Sequence, residues 1–211
     1  MTRAVVCPVP EPCADDILTL DRFSDPELNM LRNSTERYGS LQVALHWLML
    51  VMMIAVYVGM ECRGYFPKEI RPTLVRIMHY SFGISILFMV LVRVGVRLSG
   101  PAPVISPEPP RWQERLSTLM HLALYAFMIA MPLMAWLSYS LKGKPVWFYG
   151  MQIPPFTETD APLAKQLRLM HWHRHVAEWG YWLLGLHAAA ALFHHYIVKD
   201  NTLTRMLPHR S

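Results

Sequence analysis

The chain has 211 residues, 53% of them hydrophobic and 17% charged, and its mean hydropathy is +0.22. The length suits one soluble domain, but the apolar residues gather in four long runs, which places the chain in the membrane class instead. A net charge of +5 with a pI of about 9.2 fits loops near anionic lipid and does not imply nucleic-acid binding.

Residues 1–35 hold PVPEP and scattered acids with no long apolar run. A secretory signal needs an apolar core after a basic start, so this stretch reads as a loosely ordered extension, with Met30 as an alternative start. Run one, Leu41–Met60, is free of charge and carries His46 one turn in, with Trp47 at the expected interface. The loop Glu61–Arg71 comes next, with Arg63, Lys68 and Arg71, and Pro72 suits the first position of a second helix. Run two, Ile77–Val92, lies between Arg76 and Arg93 and carries His79 near its start. Arg93 and Arg97 are placed to snorkel or to meet acidic groups of a cofactor.

Ser99–Pro110 contains five prolines and reads as a loop. Run three, Leu116–Leu141, carries His121 early and Pro132 as an expected kink. The connection 142–160 includes KGKPVWFYG. Asp160 then looks like an N-cap, Pro162 an early helical position, and a short amphipathic stretch leads into run four. From Trp179 to Val198 run four passes twenty residues without Asp, Glu, Lys or Arg. At about 1.5 Å per residue, that is enough for the roughly 30 Å of hydrocarbon in a bilayer. The expected fold is all-α: an integral membrane four-helix bundle over residues 36–208, preceded by the extension 1–35. Four spans put both ends on one side. Nine Lys and Arg flank each side by our count, so charge alone does not orient the bundle.

Ionisable residues inside a membrane segment are costly and usually mark a partnered site. Run four holds His187 and His194, with His173 just before it. His173 and His187 are fourteen positions apart. At about 100° per residue this is four turns less about 40°, so both lie on one face, about 21 Å apart along the axis. Helices two and four start on the same side, which sets His79 level with His173. His46 falls in the other half of the bilayer, level with His187. Two cross-helix pairs result, and each can bind one haem iron through imidazole nitrogens. Bis-histidine ligation leaves no open iron position and so favours electron transfer. The bland alternative is that these histidines serve packing or transport in a haem-free membrane protein.

Some assignments stay open at this point. His121 shares the level of His46 and is an alternative ligand. His194 is either a quinone or proton-transfer residue or an interfacial histidine, whereas His195 and His209 read as having no special task. Glu61 is a proton relay or an ordinary loop ion pair. Zinc is disfavoured because no HxxxH or HExxH lies within a run. The cysteines Cys7, Cys13 and Cys62 form no CxxC or CxxCH, so any haem is held by axial ligands and packing.

Four stretches resemble the bacterial cytochrome b561 family: YGSLQVALHWL at 38–48, MECRGYFP at 60–67, MHYSFGISIL at 78–87 and GYWLLGLHAAAALFHHYIVKDNTLTRMLP at 180–208. The likeness runs from about Tyr38 to Pro208 and implies two b haems. The family's ligand positions fall on His46, His79, His173 and His187, while His121 matches a histidine that is not a ligand. The resemblance also implies an inner-membrane location with cytoplasmic termini, so that Cys7 and Cys13 sit in a reducing compartment. The activity it implies is oxidation of superoxide, with electrons passed to ubiquinone. Arg63, Lys68 and Arg71 would steer the anion, and His194 and Arg93 are the candidate quinone residues. The runner-up is an electron-transfer subunit linking quinone to a dehydrogenase or hydrogenase partner.

Overall fold

The computed structural model describes residues 33–208. The expectations for Met30, Cys7, Cys13 and His209 lie outside the described residues. Helix α1 spans Ser40–Glu61 and is succeeded by a 3-10 turn at Cys62–Tyr65. Helix α2 runs over Arg71–Leu98. It opens on an α-turn at Arg71–Leu74, passes through a π-helical turn at Val75–Ser81, and continues as α-helix over Phe82–Leu98. Helix α3 spans Arg111–Ser140 and runs unbroken through Pro132. Next comes a two-stranded antiparallel hairpin, β1 Val146–Phe148 and β2 Met151–Ile153. A short helix α4, Ala161–Leu167, precedes α5, Leu169–Phe193, which ends in a second π turn at His194–Val198.

The expected helices are all present, and Asp160 caps α4 by accepting a hydrogen bond from the Leu163 amide at 2.8 Å. Pro162 supplies the early proline of that helix. Among the described residues the fold departs from all-α only at the hairpin. Its strands of three residues are too short to show a period-two pattern. Tyr149 and Gly150 form a two-residue turn with both φ angles positive, at 46° and 90°, the geometry that joins twisted strands closely.

Among the described residues three helices, α1, α2 and α3, are long and apolar enough to cross a membrane. Helix α5 is also long, with 25 residues, but its first three turns carry His171, His173, Arg174, His175 and Glu178. Its α-helical part ends at Phe193, inside the charge-free run. The polar start therefore dilutes a span that looked clean from Trp179 onward.

Helix α1 packs chiefly on α2, and α3 chiefly on α5. The shared core is Met49, Met53, Ile86, Val90, Phe127 and Met131. Large apolar side chains face outward on every long helix, among them Val51, Leu91, Leu122 and Trp182, with Trp182 76% exposed. A water-soluble bundle would bury such a surface; lipid would cover it.

The segment after α5 folds back over the loop between α2 and α3. The Asn201 side chain accepts from the Ser106 amide at 3.0 Å and donates to the Val104 carbonyl at 3.2 Å. Arg205 donates to the Pro103 carbonyl. Trp47 ties its indole N–H to the Met206 carbonyl at 2.6 Å, so its polar tip is satisfied inside the protein.

Candidate functional site

Two pairs of imidazoles bridge the packed helix pairs. Near the hairpin end, His79 of α2 faces His173 of α5, with ring centroids 5.9 Å apart and planes at 82°. Near the tail end, His46 of α1 faces His187 of α5 at 6.3 Å and 78°. All four are half-buried. The face argument for α5 thus holds in space: His173 and His187 each meet the histidine expected from their level.

These separations suit a metal held from both sides. An imidazole nitrogen sits about 2 Å from a metal it ligates, so two rings clasping one iron have centroids roughly 6 Å apart. The ring orientation at His173 fits as well. Its Nδ1 lies 3.0 Å from the Met131 carbonyl. An Nδ1–H donated there fixes the tautomer and leaves Nε2 as the bare nitrogen. His79 Nδ1 is buried without a hydrogen-bond partner. The Val56 carbonyl faces that ring but does not meet hydrogen-bond geometry at the nitrogen. An orphaned buried nitrogen is expensive, and a ligated imidazole whose N–H turns to a carbonyl would remove that cost. The four residues therefore fit b-type haem held at two levels.

His121 is brought in too, 5.9 Å from His187. Its Nδ1 is approached by the Ser117 hydroxyl one turn back on α3, at 3.5 Å. His171 and His175 also meet, at 4.2 Å, and His175 lies 3.8 Å from Glu178. Among the described residues no group of three or more His, Cys, Asp or Glu converges on a metal position.

Arg63, Lys68 and Arg71 lie at the hairpin end, where the two arginine side chains are anchored. Arg63 donates to the Met60 carbonyl, and Arg71 donates to the carbonyls of Phe66 at 3.1 Å and Gly64 at 3.3 Å. Lys68 is exposed. Among the described residues none of the three forms an ion pair with a carboxylate, so their charge is not cancelled locally. Arg76, by sequence only a flank of run two, lies beside the hairpin. Its guanidinium lies 4.6 Å over the Trp147 ring, and it lines a cleft of about 320 Å³ with Thr73, Ile77, Ser81, Tyr149 and Gly150. Only the hairpin, which had no signal of its own, makes this neighbour visible.

At the tail end, Arg93 does not snorkel, the first of the two alternatives open to it by sequence. It is 6% exposed and donates to the Gln42 carbonyl of α1 at 2.8 Å. Gln42, one turn before His46, is fully buried with both amide atoms unpartnered. His194 pairs through Nδ1 with Asp200 at 2.5 Å. Burial alone would raise the Asp200 carboxyl, but hydrogen bonds from His194 and Thr202 outweigh it and hold the carboxyl below its ordinary value. Arg93 and His194 thus belong to two separate arrangements, one against α1 and one against the tail. Glu61 accepts from the Tyr181 hydroxyl of α5 at 2.8 Å, so its partner comes from another helix rather than from a basic loop residue.

A bundle of long apolar helices that aims paired imidazoles at one another from opposite sides defines a membrane cytochrome of the b type. The profile of a family described as prokaryotic cytochrome b561 matches residues 37–209, and the chain belongs to that family. It is 38% identical to cytochrome b561 homolog 1 of Escherichia coli, over 82% of this chain and 98% of the relative. It is 34% identical to the probable superoxide oxidase CybB of Yersinia pestis, over 82% and 97%, and 30% identical to cytochrome b561 homolog 2 of Escherichia coli, over 83% and 93%.

Proposed function

We propose that this protein is a diheme membrane cytochrome b that oxidises superoxide to oxygen and delivers the electrons to ubiquinone. The observation that carries the reading is the pairing of His79 with His173 and of His46 with His187 at iron-clasping separations. The likeness to a relative named as a probable superoxide oxidase supports the reaction. Helix α5 is the fourth span, its polar start lying at the hairpin-side surface and its charge-free run in the lipid. The hairpin end faces the periplasm, and both termini face the cytoplasm from the inner membrane.

Haem b, when bound, supplies one-electron carriage between the two ends of the bundle. His79 and His173 hold it at the hairpin end, and His46 and His187 hold it at the tail end. Arg63, Lys68 and Arg71 raise the local concentration of a small anion at the hairpin end. Two superoxide anions lose one electron each and leave as oxygen. One ubiquinone takes up two electrons and two protons at the tail end, where His194 and Arg93 are the candidate contacts. His194, hydrogen-bonded to Asp200, is the group assigned to proton transfer there.

The test uses the purified protein in detergent or lipid. A reduced-minus-oxidised spectrum is expected to show b-type haem, and superoxide added with a ubiquinone analogue is expected to yield quinol without any other protein. Neutralising Arg63, Lys68 and Arg71 together should lower the rate several-fold and flatten its salt dependence while sparing haem content. A protein with no b-type band is the haem-free alternative. Haems that superoxide does not reduce would point to the electron-transfer subunit and its protein donor.

A further inference from the structure

His79 does not sit on ordinary α-helix. It lies in the π turn Val75–Ser81, a local irregularity that appears frequently at functional sites. A π turn holds one residue more than the α-helix it replaces, so reversion would rotate the N-terminal part of α2 by about 100° against its C-terminal part. Something must keep it open. On one flank α1 packs tightly: a Cβ added at Gly59 would stand 3.0 Å from Met78 Cβ. On the other flank is the hairpin. Ser81, 1% exposed, closes the turn from that side.

Its hydroxyl donates to the Arg76 carbonyl at 3.0 Å, five residues back, which is the spacing of the π turn itself. The same oxygen accepts from the Tyr149 amide at 2.9 Å. Tyr149 holds a positive φ of 46°, a conformation that costs a non-glycine residue and persists only where surroundings enforce it. Arg76 stacked on Trp147, and the Tyr149 hydroxyl 3.2 Å from Ser85, tie the two elements at further points.

We propose that Ser81 is a positioning residue for the His79–His173 pair, locking the π turn that carries His79 to the hairpin outside the helices. The assignment rests on the haem-binding reading above. The hairpin is then a brace on one ligand, and Ser81 is a buried hydrogen-bonded joint between the two.

The experiment uses the full-length protein with its haems. Ser81→Ala is expected to keep both haems but to change the reduced-to-oxidised ratio of one of them at least threefold at its wild-type midpoint, with an altered low-spin EPR signal, while the other titrates as before. Hydrogen exchange in a peptide covering 146–153 should quicken at least tenfold at the Tyr149 amide. Ser81→Thr, which keeps the hydroxyl, should restore both. Two unchanged titration steps in Ser81→Ala alongside faster exchange would overturn the proposal, since the joint would be broken without effect on the pair. Equal shifts in Ser81→Ala and Ser81→Thr would also overturn it, because side-chain size and not the hydroxyl would then be the cause. A wild-type protein without haem would instead overturn the preceding reading and take this one with it.

Discussion

His187 has two imidazoles within clasping range, His46 at 6.3 Å and His121 at 5.9 Å. Separation does not choose between them, so the assignment to His46 is a chemical prediction. His187→Ala and His46→Ala should each leave one haem of two by pyridine haemochrome assay, and His121→Ala should keep two. The single-haem variants should also assemble in lower yield, because a cofactor that binds only the folded state stabilises it. Two haems in His46→Ala with one in His121→Ala would move the ligand to α3. The sequence showed these residues plainly, since a histidine in an apolar run is conspicuous and helical geometry fixes its face. It could not show that Arg93 would turn inward, because the Gln42 carbonyl that receives it belongs to another helix.

Among the elements, α5 depends on a glycine midway between its two histidines, seven residues from each. A Cβ at Gly180 would stand 2.1 Å from the Tyr57 hydroxyl and 2.5 Å from Phe127 Cζ. Tyr57 is fixed there by donating to the Ala177 carbonyl at 2.9 Å. Alanine gains about 1 kcal/mol of helix propensity over glycine, whereas overpacking a filled site costs about 1–3 kcal/mol and here also displaces a hydrogen bond. The clash wins, so Gly180→Ala should lower Tm by several degrees and reduce haem retention during purification. A raised Tm would mean that α5 stands further from α1 and α3. The hairpin is the element the sequence hid. Residues 142–160 read as a connection because three-residue strands carry no usable period.

For the whole molecule, the prediction is that α5 crosses the membrane with α1, α2 and α3. Four crossings return the chain to its starting side, and with the cytoplasmic termini proposed above a green fluorescent protein fused after residue 211 should fluoresce in the cytoplasm, and alkaline phosphatase fused there should be inactive. Fusions within the hairpin should give the reverse. Phosphatase active both in the hairpin and at the C-terminus would leave three crossings, whereas activity at the C-terminus alone would invert the proposed orientation. The sequence by itself determined the helices, their apolar surfaces and the levels of the histidines, because each comes from local periodicity and from the length needed to span lipid. Tertiary structure alone decided which rings meet, that a hairpin braces the turn bearing His79, and that the tail folds over the α2–α3 loop. Those contacts join residues as far as 159 positions apart, and no local pattern records the geometry that brings such residues together.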